Sequence, residues 1–246
     1  MNKFCIIYNP EKENALEVVE KIKSYLKINK KECFIYENNF KGKNNNFKYT
    51  DPEKVPNETE CIIVIGGDGT FIHAARDLLL KNIPMIGINL GTVGYLTEIE
   101  IFDIEDSLRK LINNDFNIEK RMIIEGAVYK NNKNIFKEVA VNEICLTRSS
   151  NLEIINFDVF VNNQHLNSYS ADGIIVATPT GSTGYNMSAG EPIVEPSYDL
   201  LLLTPICSHS LCSKSIVISS YKNVKLQIPY NKTDCSARTL PAGSIK

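Results

Sequence analysis

The residues most able to do chemistry stand in a glycine-rich turn, read GGDG, at positions 66–69. The turn follows an apolar run, CIIVI, and precedes a helical pattern that runs from about Thr70 to Leu80. Backbone N–H groups at the start of a helix bind phosphate oxygens, and glycines let a ligand approach the backbone. The spacing therefore predicts a phosphate-binding turn formed by Gly66, Gly67, Gly69 and Thr70.

The carboxylate of Asp68 is unexpected in a turn that binds anions. It can cap the helix, hold Mg²⁺, or accept the proton of a hydroxyl that attacks phosphorus. A Walker A loop is excluded, because that loop needs Lys and then Ser or Thr where Thr70 and Phe71 stand. The pattern G-x-G-x-x-G fails as well, because Ile72 stands where its last glycine would be. A capping aspartate needs no flanking glycines, so the pattern favours a chemical role for Asp68.

Two further polar segments interrupt apolar runs. Residues 171–196, read ADGIIVATPTGSTGYNMSAGEPIVEP, end a strand-like run with Pro, Gly, Ser and Thr. These small hydroxyl-bearing residues suit a polar ligand, although a segment of this composition at a strand end can also be only a loop. Asn142 and Glu143 interrupt another apolar strand, and a polar pair is costly to bury without partners. We expect this pair to face a ligand or a cleft between domains.

The seven cysteines predict no disulfide framework for an intracellular chain. Cys5 and Cys61 lie in apolar runs and are interpreted as small buried hydrophobes. The tightest group, Cys207, His209 and Cys212, lacks the second ligand pair that a zinc site usually needs. Buried thiols in a loop are therefore favoured over a zinc site.

The bulk composition limits the classes of partner. Of the 246 residues, 43% are hydrophobic, and the formal net charge of -2 predicts no basic face for nucleic acid. No apolar run is long enough to span a membrane, and the first residues lack the apolar stretch of a secretory signal. We therefore expect a cytoplasmic protein that contacts neither nucleic acid nor a membrane.

An α/β pattern in the first part of the chain positions the glycine-rich turn. Continuous apolar strands alternate with amphipathic helices, which indicates a parallel sheet with helices on both faces. The predicted strands are KFCIIYN, ECFIY, CIIVIG and PMIGIN, and predicted helices cover about 13–26, 70–80 and 103–114. Residues 37–60, rich in Asn, Lys and Pro, are predicted to be an exposed loop. We place this Rossmann-like α/β domain at residues 1–116.

From residue 117 to residue 246 the pattern changes to short β-rich runs with turn signals about every ten residues. The runs are RMIIEGAVYK, FKEVAVNEICLTR, LEIINFDVFVNN, HLNSYSADGIIVATP and SIVISSYKNVKLQI. The sequences NNK and VNNQ are typical of turns between such strands. This part of the chain is therefore predicted to be an all-β domain.

Together these segments resemble the NAD kinase family, whose members phosphorylate the adenosine ribose 2′-hydroxyl of NAD to form NADP. The segments IGGDGTF, PMIGINLGTVGYLTE, VNE, SADGIIVATPTGSTGYNMSAGEPIVEP and LTPICSHSL occur in the family's order over most of the chain. GGDG alone is weak evidence for the family, because diacylglycerol-type lipid kinases and phosphofructokinases carry similar turns. Its combination with VNE and TPTGSTGY is specific. The resemblance implies an α/β N-terminal domain and a β-rich C-terminal domain, with the site in the cleft.

The resemblance also implies a role for each candidate residue. Asp68 would be the general base for the ribose hydroxyl, and Gly69 with its neighbours would face phosphate. Asn142 and Glu143 would bind adenine and ribose groups, and Tyr95 would lie near the adenine. The rest of the pocket would be lined by Thr183, Gly184, Tyr185, Asn186, Met187 and Ser188.

The same resemblance implies further partners. Mg²⁺ or another divalent cation would be carried by the phosphates of the donor, ATP or polyphosphate, with no metal ligand from the protein. Asp172 would engage the nicotinamide end of NAD. Cys207 stands where the family usually has a small residue that reaches a neighbouring subunit's ligand, which implies a homodimer or homotetramer.

Two segments depart from the family pattern. Glu191 stands where the family more often has glycine. Residues 231–246, read NKTDCSARTLPAGSIK, show neither the further strand with its Asp-Gly turn and ligand-contacting Gln nor a last segment returning to the first domain. Two alternatives therefore stand beside an NAD kinase: an NAD-binding relative with impaired catalysis, and a lipid or small-alcohol kinase that shares the GGDG turn.

Overall fold

The computed structural model describes residues 1–38, 49–91, 94–148, 154–209 and 214–228, together with the backbone of a strand at 233–239. It divides into two compact units, Met1–Glu119 and Lys120–Gly243. Unit 1 is an α/β structure with a parallel sheet, and unit 2 is an antiparallel all-β structure. The predicted fold class is therefore confirmed.

Unit 1 is built around a four-stranded parallel sheet in the order β2-β1-β3-β4. Its strands are β1 (Lys3–Tyr8), β2 (Glu32–Glu37), β3 (Cys61–Gly66) and β4 (Met85–Asn89). Its helices are α1 (Ala15–Ile28), α2 (Asp68–Asp77) and α3 (Ile104–Ile112), and short 3₁₀ turns lie at Pro52–Lys54, Leu79–Lys81 and Ile101–Asp103. All six residues of β3 are buried, as expected for a strand covered on both faces.

The start of α1 lies two residues later than predicted. Asn14 precedes it with a left-handed backbone, φ 62, which ends the preceding loop and lets the helix begin at Ala15. The helix then buries Val18, Val19, Ile22 and Leu26 at the spacing of one helical face. This face packs with β1, β3 and α3 in the core of unit 1.

The prediction of an exposed loop over residues 37–60 is confirmed at Glu53, Lys54 and Asn57, which are exposed, and is wrong at several other described positions. Asn38 and Thr50 are fully buried, and Val55 is buried beside the 3₁₀ turn. At Thr50 the cause is a tertiary contact, because the backbone N–H groups of Tyr49 and Thr50 donate to Oδ2 of Asp77 at 3.2 and 2.9 Å. Residues 39–48 of the predicted loop lie outside the described residues.

Unit 2 contains two antiparallel sheets. The four-stranded sheet has the order β12-β11-β10-β7, and the six-stranded sheet has the order β6-β5-β14-β13-β8-β9. The strands are β5 (Ile124–Lys130), β6 (Lys133–Ala140), β7 (Glu143–Thr147), β8 (Ile155–Val161), β9 (Gln164–Ala171), β10 (Gly173–Ala177), β11 (Leu200–Ile206), β12 (Ile216–Ser219), β13 (Val224–Ile228) and β14 (Thr233–Thr239). A 3₁₀ turn at Thr180–Thr183 and the short helix α4 (Tyr185–Ser188) follow β10. Apolar side chains from both sheets share one core.

The predicted asparagine turns are confirmed. Asn131 and Asn132 connect β5 to β6, and Asn162 and Asn163 connect β8 to β9. All four have positive φ, from 49 to 65, which is the backbone that a two-residue type I′ hairpin requires.

The sequence pattern missed two strands of unit 2. β11 was not predicted, although it is buried along almost its whole length. The expectation that no further strand follows residue 231 is wrong, because β14 pairs antiparallel with β13 on one side and β5 on the other. Hydrogen bonding to two neighbouring strands holds this polar segment in the sheet despite its weak apolar pattern. Across the described ranges, no helix combines the length and apolar character needed to cross a membrane.

Candidate active site

The glycine-rich turn joins β3 to α2 at the carboxyl edge of the parallel sheet of unit 1. β3 ends at Gly66, Gly67 is the N-cap, and α2 begins at Asp68, two residues before the predicted start. A Cβ on Gly66 would lie 2.5 Å from Oγ1 of Thr70, so glycine is required there for the helix to follow the strand. Ligands of open parallel sheets bind at this carboxyl edge.

The Asp68 carboxylate bonds to a neighbouring loop and not to its own helix. Its Oδ2 accepts from the backbone N–H of Tyr95 at 2.8 Å. Its Oδ1 accepts from the backbone N–H groups of Leu96 and Thr97, both at 3.1 Å, and from the Thr97 hydroxyl at 2.9 Å. The alternative in which Asp68 is the helix N-cap is therefore wrong, since Gly67 holds that position without a side-chain cap.

Gly94 makes room for this carboxylate. A Cβ built on Gly94 would lie 2.0 Å from Oδ1 of Asp68, which no side chain tolerates. The role of residues 94–97 around Asp68 was missed by sequence reasoning, which assigned only Tyr95 and gave it an adenine contact. The available signal was the second glycine-punctuated segment, LGTVGYL, which follows β4 at the same sheet edge.

Gly67 and Gly69 are glycines that the described chain does not itself require. A Cβ built on either meets no described atom within 4 Å, and neither has a positive φ. Space above a helix start is what a phosphate needs, because the first N–H groups of a helix have no partner within the helix. Thr70 is buried beneath the turn, so the structure places its side chain under Gly66.

The sequence predicted that Asn142 and Glu143 interrupt one continuous strand, but in the structure they lie between two strands. β6 ends at Ala140 in the six-stranded sheet, and β7 begins at Glu143 in the four-stranded sheet. The polar pair therefore lies where the chain passes from one sheet to the other. Oδ1 of Asn142 and Oε2 of Glu143 are buried without a hydrogen-bond partner among the described residues.

The environment of Glu143 changes its proton affinity. Burial raises the pKa of its carboxyl above the usual range, and the backbone N–H of Tyr185, which donates to this carboxylate, acts in the opposite sense. Glu143 also borders a cavity of about 320 Å³ whose other walls include Phe136, Ala140 and Ile144. A buried acceptor without a partner is costly, so a ligand that donates to it gains binding energy.

The segment after β10 packs its backbone onto Asn142. The Thr178 N–H donates to the Asn142 carbonyl at 2.8 Å, and the Thr178 hydroxyl donates to the Val141 carbonyl at 2.7 Å. A Cβ on Gly181 would lie 2.1 Å from the Asn142 carbonyl oxygen, and one on Gly184 would lie 2.9 Å from Oε2 of Glu143. These two glycines bring Asn142, Glu143 and the turn after β10 together.

The remaining predicted residues of this turn differ in the solvent exposure of their side chains. Tyr185, Met187 and Ser188 are exposed, and Thr183 is half-buried with its hydroxyl donating to the Thr180 carbonyl at 3.0 Å. Asn186 is 0% exposed, its Oδ1 accepts from the Thr204 hydroxyl at 2.6 Å, and its Nδ2 is buried without a hydrogen-bond partner among the described residues. Asn186 thus holds α4 onto β11, and its amide is turned into the interior.

The structure places Asp172 and Cys207 away from the Asn142–Glu143 pair. Asp172 lies before β10 and Thr178 after it, so at about 3.3 Å per residue the two are roughly 20 Å apart. The Arg148 guanidinium, a partner that sequence reasoning missed, lies 3.0 Å from Oδ1 of Asp172. Cys207 is exposed with φ 47, and the carbonyl of the preceding Ile206 accepts from the Asp172 N–H at 3.0 Å.

The structure bears on the cysteine and metal predictions as well. Cys5 and Cys61 are buried, as predicted, and burial raises the pKa of each thiol to about 12. Cys212 lies outside the described residues. Within the described ranges, no group of three or more His, Cys, Asp or Glu side chains is arranged to hold a metal ion.

Comparison with known proteins gives consistent matches over both units. Residues 4–116 match the model of the ATP-NAD kinase N-terminal domain, and residues 141–239 match that of the ATP-NAD kinase C-terminal domain. A protein named NAD kinase from Lachnospira eligens is 41% identical over 246 residues, which is 100% of this chain and 83% of the relative. Another, from Lachnoclostridium phytofermentans, is 42% identical over 235 residues, covering 94% of this chain and 81% of the relative.

Two solved structures share the fold. The yeast NADH kinase complexed with NADH is 20% identical, with a TM-score of 0.81 over 99% of this chain and 82% of that chain. An NAD kinase from Archaeoglobus fulgidus in complex with ATP is 24% identical, with a TM-score of 0.74 over 97% of this chain and 91% of that chain. At these identities the likeness establishes the fold.

Proposed function

The chain belongs to the NAD kinase family, and we propose that it transfers a phosphoryl group from ATP or polyphosphate to the adenosine ribose 2′-hydroxyl of NAD, forming NADP. The family resemblance predicted from the sequence motifs is thereby confirmed. Family membership supports this function, and the roles of individual residues are proposed from their surroundings.

The placement of Asp68 is the observation that carries the proposal. Its carboxylate is held by hydrogen bonds at the first residue of α2, beside two glycines that leave open space. A ribose hydroxyl is a poor nucleophile near neutral pH, and a positioned carboxylate can take its proton as the oxygen attacks phosphorus. The proton passes to Asp68, the new O–P bond forms, and the bond to the leaving ADP or shortened polyphosphate breaks with its electron pair on the leaving group.

The start of α2 is proposed to bind the phosphates of the donor. Backbone N–H groups of the first helical turn and the helix dipole both favour an anion there. Gly67 and Gly69 expose this backbone, because neither carries a side chain that would fill the space above it. Phosphoryl transfer depends mainly on position and charge stabilisation, which such a turn supplies.

Unit 2 is proposed to hold the NAD molecule. Oδ1 of Asn142 and Oε2 of Glu143 are buried acceptors without a described partner, suited to the hydroxyl and amine donors of ribose and adenine. The exposed ring of Tyr185 and the glycine at 184 flank Glu143 and leave a surface on which a flat group can rest. Thr183, Met187 and Ser188 complete the rim of this surface.

Asp172 and Cys207 are proposed to serve the NAD of a neighbouring copy. Within one chain they stand at the far end of β10 from Asn142, roughly 20 Å away at the usual rise of a strand. A homodimer or homotetramer would bring this end to a second chain. The test is a mixed oligomer of Asp68→Asn and Asp172→Asn chains, which should regain part of the activity that each lacks alone. A mixture no more active than its components contradicts the sharing.

Mg²⁺ or another divalent cation is proposed to enter with the phosphates of the donor. Phosphate oxygens are among its usual ligands. When bound there, the cation neutralises the negative charge of the donor phosphates.

The experiment that tests this function combines one assay with one binding measurement. The purified chain is incubated with NAD, ATP and Mg²⁺, NADP is quantified by a coupled dehydrogenase, and NAD binding is measured by calorimetry. We expect NADP in proportion to enzyme and time. The Asp68→Asn variant is the matched control, because it should bind NAD and form almost no NADP.

The same experiment separates the two alternative functions. NAD binding without NADP formation by the wild-type chain would favour a relative with impaired catalysis. Absence of NAD binding, together with phosphorylation of a lipid or small alcohol, would favour a kinase that shares only the GGDG turn.

A further inference from the structure

The loop at residues 95–97 forms a cradle around the Asp68 carboxylate. This carboxylate cradle consists of the backbone N–H groups of Tyr95, Leu96 and Thr97 and the hydroxyl of Thr97. Its donors divide unequally between the two oxygens, with three donating to Oδ1 and one to Oδ2.

This division distinguishes the two oxygens chemically. A carboxylate offers about four lone-pair positions, two on each oxygen. Among the described residues, Leu96 and Thr97 together direct three donors at Oδ1, whereas Oδ2 accepts only from the Tyr95 N–H at 2.8 Å and retains one lone pair. Oδ2 is therefore the oxygen available to take a proton.

In the part of the chain that the structure describes, Thr97 supplies the one side-chain donor of the cradle. It is 1% exposed, and its Oγ1 lies 2.9 Å from Oδ1 of Asp68. A Cβ on Gly87 would lie 2.8 Å from Cγ2 of Thr97, so β4 carries a glycine where the threonine methyl packs. The branched side chain is thereby restricted to one orientation, and that orientation points the hydroxyl at the carboxylate.

We propose that Thr97 is a positioning residue for phosphoryl transfer, which fixes Asp68 so that Oδ2 is the atom that receives the proton of the attacking hydroxyl. This inference rests on the proposed function. Thr97 acts only through Asp68, because its hydroxyl is already bonded to Oδ1. In the reaction the ribose hydroxyl gives its proton to Oδ2 while the ribose oxygen bonds to phosphorus. The bond from phosphorus to the leaving group breaks, and the leaving group keeps the electron pair.

The positioning has a kinetic consequence. A carboxylate held by four donors cannot turn about its side-chain bonds, so it meets the hydroxyl in one orientation. Removing the hydroxyl of Thr97 leaves Oδ1 with two backbone donors and allows the carboxylate to rotate. The loss should appear in kcat, because substrate binding does not use Thr97.

The experiment compares three variants of the whole chain. Thr97→Val keeps the size and branching but removes the hydroxyl, and Thr97→Ser restores the hydroxyl without the methyl. Thr59→Val is the matched control, because Thr59 is also a buried threonine of unit 1 but its hydroxyl has no described hydrogen-bond partner. For each variant kcat, the KM for NAD, the KM for ATP and the thermal midpoint are measured, with kinetics run well below that midpoint.

We expect Thr97→Val to lower kcat by about 10- to 100-fold with both KM values within about 3-fold of wild type. Thr97→Ser should recover most of kcat, and Thr59→Val should match wild type. An unchanged kcat in Thr97→Val would overturn the inference, as would equal losses in the valine and serine variants. If the wild-type chain forms no NADP, the proposed function itself fails. Normal wild-type turnover with an unaffected Thr97→Val variant refutes only the role of Thr97.

Discussion

The substitution Asp68→Asn separates the chemical role of the carboxylate from its structural role. An amide keeps one oxygen, which can take the place of Oδ1 and accept from the Leu96 N–H, the Thr97 N–H and the Thr97 hydroxyl. Its NH₂ group then faces the Tyr95 N–H, which loses its acceptor at Oδ2. The variant therefore keeps three of the four hydrogen bonds and cannot accept a proton at the fourth position.

The substitution Asp68→Asn should change stability only slightly and kcat strongly. Because the bond from the Tyr95 N–H lies at the surface, water can replace the lost acceptor, and the free energy of unfolding should fall by only about 0.5–1.5 kcal/mol. This lowers the thermal midpoint by about 2–4 °C for each kcal/mol in a chain of this size. Loss of a general base lowers kcat by about 10²- to 10⁴-fold. Because the NAD-binding groups proposed above lie in unit 2, the dissociation constant for NAD should stay within about 3-fold of wild type.

The assay measures NADP formation at saturating NAD and ATP, with NAD binding and thermal unfolding followed on the same preparations. Asp68→Ala serves as the comparison, because it removes all four acceptor contacts and should destabilise the chain more than Asp68→Asn. An Asp68→Asn variant that retains more than about a tenth of wild-type kcat would refute the assignment of Asp68 as the base. A variant that loses NAD binding while its thermal midpoint stays near that of wild type would refute the separation of roles.

Three further predictions concern the glycine turn, Glu143 and the metal. Gly69→Ala should raise the unfolding free energy by about 0.4–1 kcal/mol, because the unfolded chain loses freedom and no described atom is displaced. It should nevertheless raise the KM for ATP, and a stabilised variant with unchanged KM would count against phosphate binding at this turn. For Glu143 the folded chain holds its proton more tightly than the unfolded chain, because burial raises the pKa of the carboxyl. Its contribution to stability is therefore present at low pH and is lost as the pH rises through the unfolded pKa of about 4.3 towards the raised folded value. Urea unfolding over this range should show wild type losing stability relative to Glu143→Gln, and parallel curves would contradict the sign. Chelation by EDTA should abolish NADP formation without changing the thermal midpoint of the chain alone, and a lowered midpoint would indicate a metal held by the protein.

The fold class could be predicted from the sequence because two local sequence patterns are easy to recognise. The continuous apolar runs of β1 and β3 are typical of a parallel sheet, and the asparagine pairs at 131–132 and 162–163 are typical of hairpin turns. β14 was not predicted, because its polar residues are held by hydrogen bonds to two neighbouring strands, and this tertiary effect leaves no local signal in the sequence. The burial of Thr50 was not predicted for a related reason, since Asp77, which accepts from its backbone N–H, is distant in sequence.

The candidate site was predicted unevenly. The GGDG turn was visible because its glycines and aspartate are contiguous, and Asn142–Glu143 was visible as a polar pair between apolar residues. The cradle around Asp68 was not visible, because three of its four donors are backbone N–H groups that any sequence possesses. The burial of Asn186 was not visible, because composition does not reveal on which side of a four-residue helix an amide lies.

The central claim is that this chain moves one phosphoryl group to the ribose 2′-hydroxyl of NAD with Asp68 as the base. The most direct measurement is ³¹P NMR of the reaction of NAD, ATP and Mg²⁺ with the wild-type chain, in parallel with the Asp68→Asn variant. The account predicts a 2′-phosphomonoester signal that grows in step with ADP in the wild-type reaction and stays near background with the variant. A phosphate at another position, ADP without phosphorylated NAD, or equal product from both chains would contradict it.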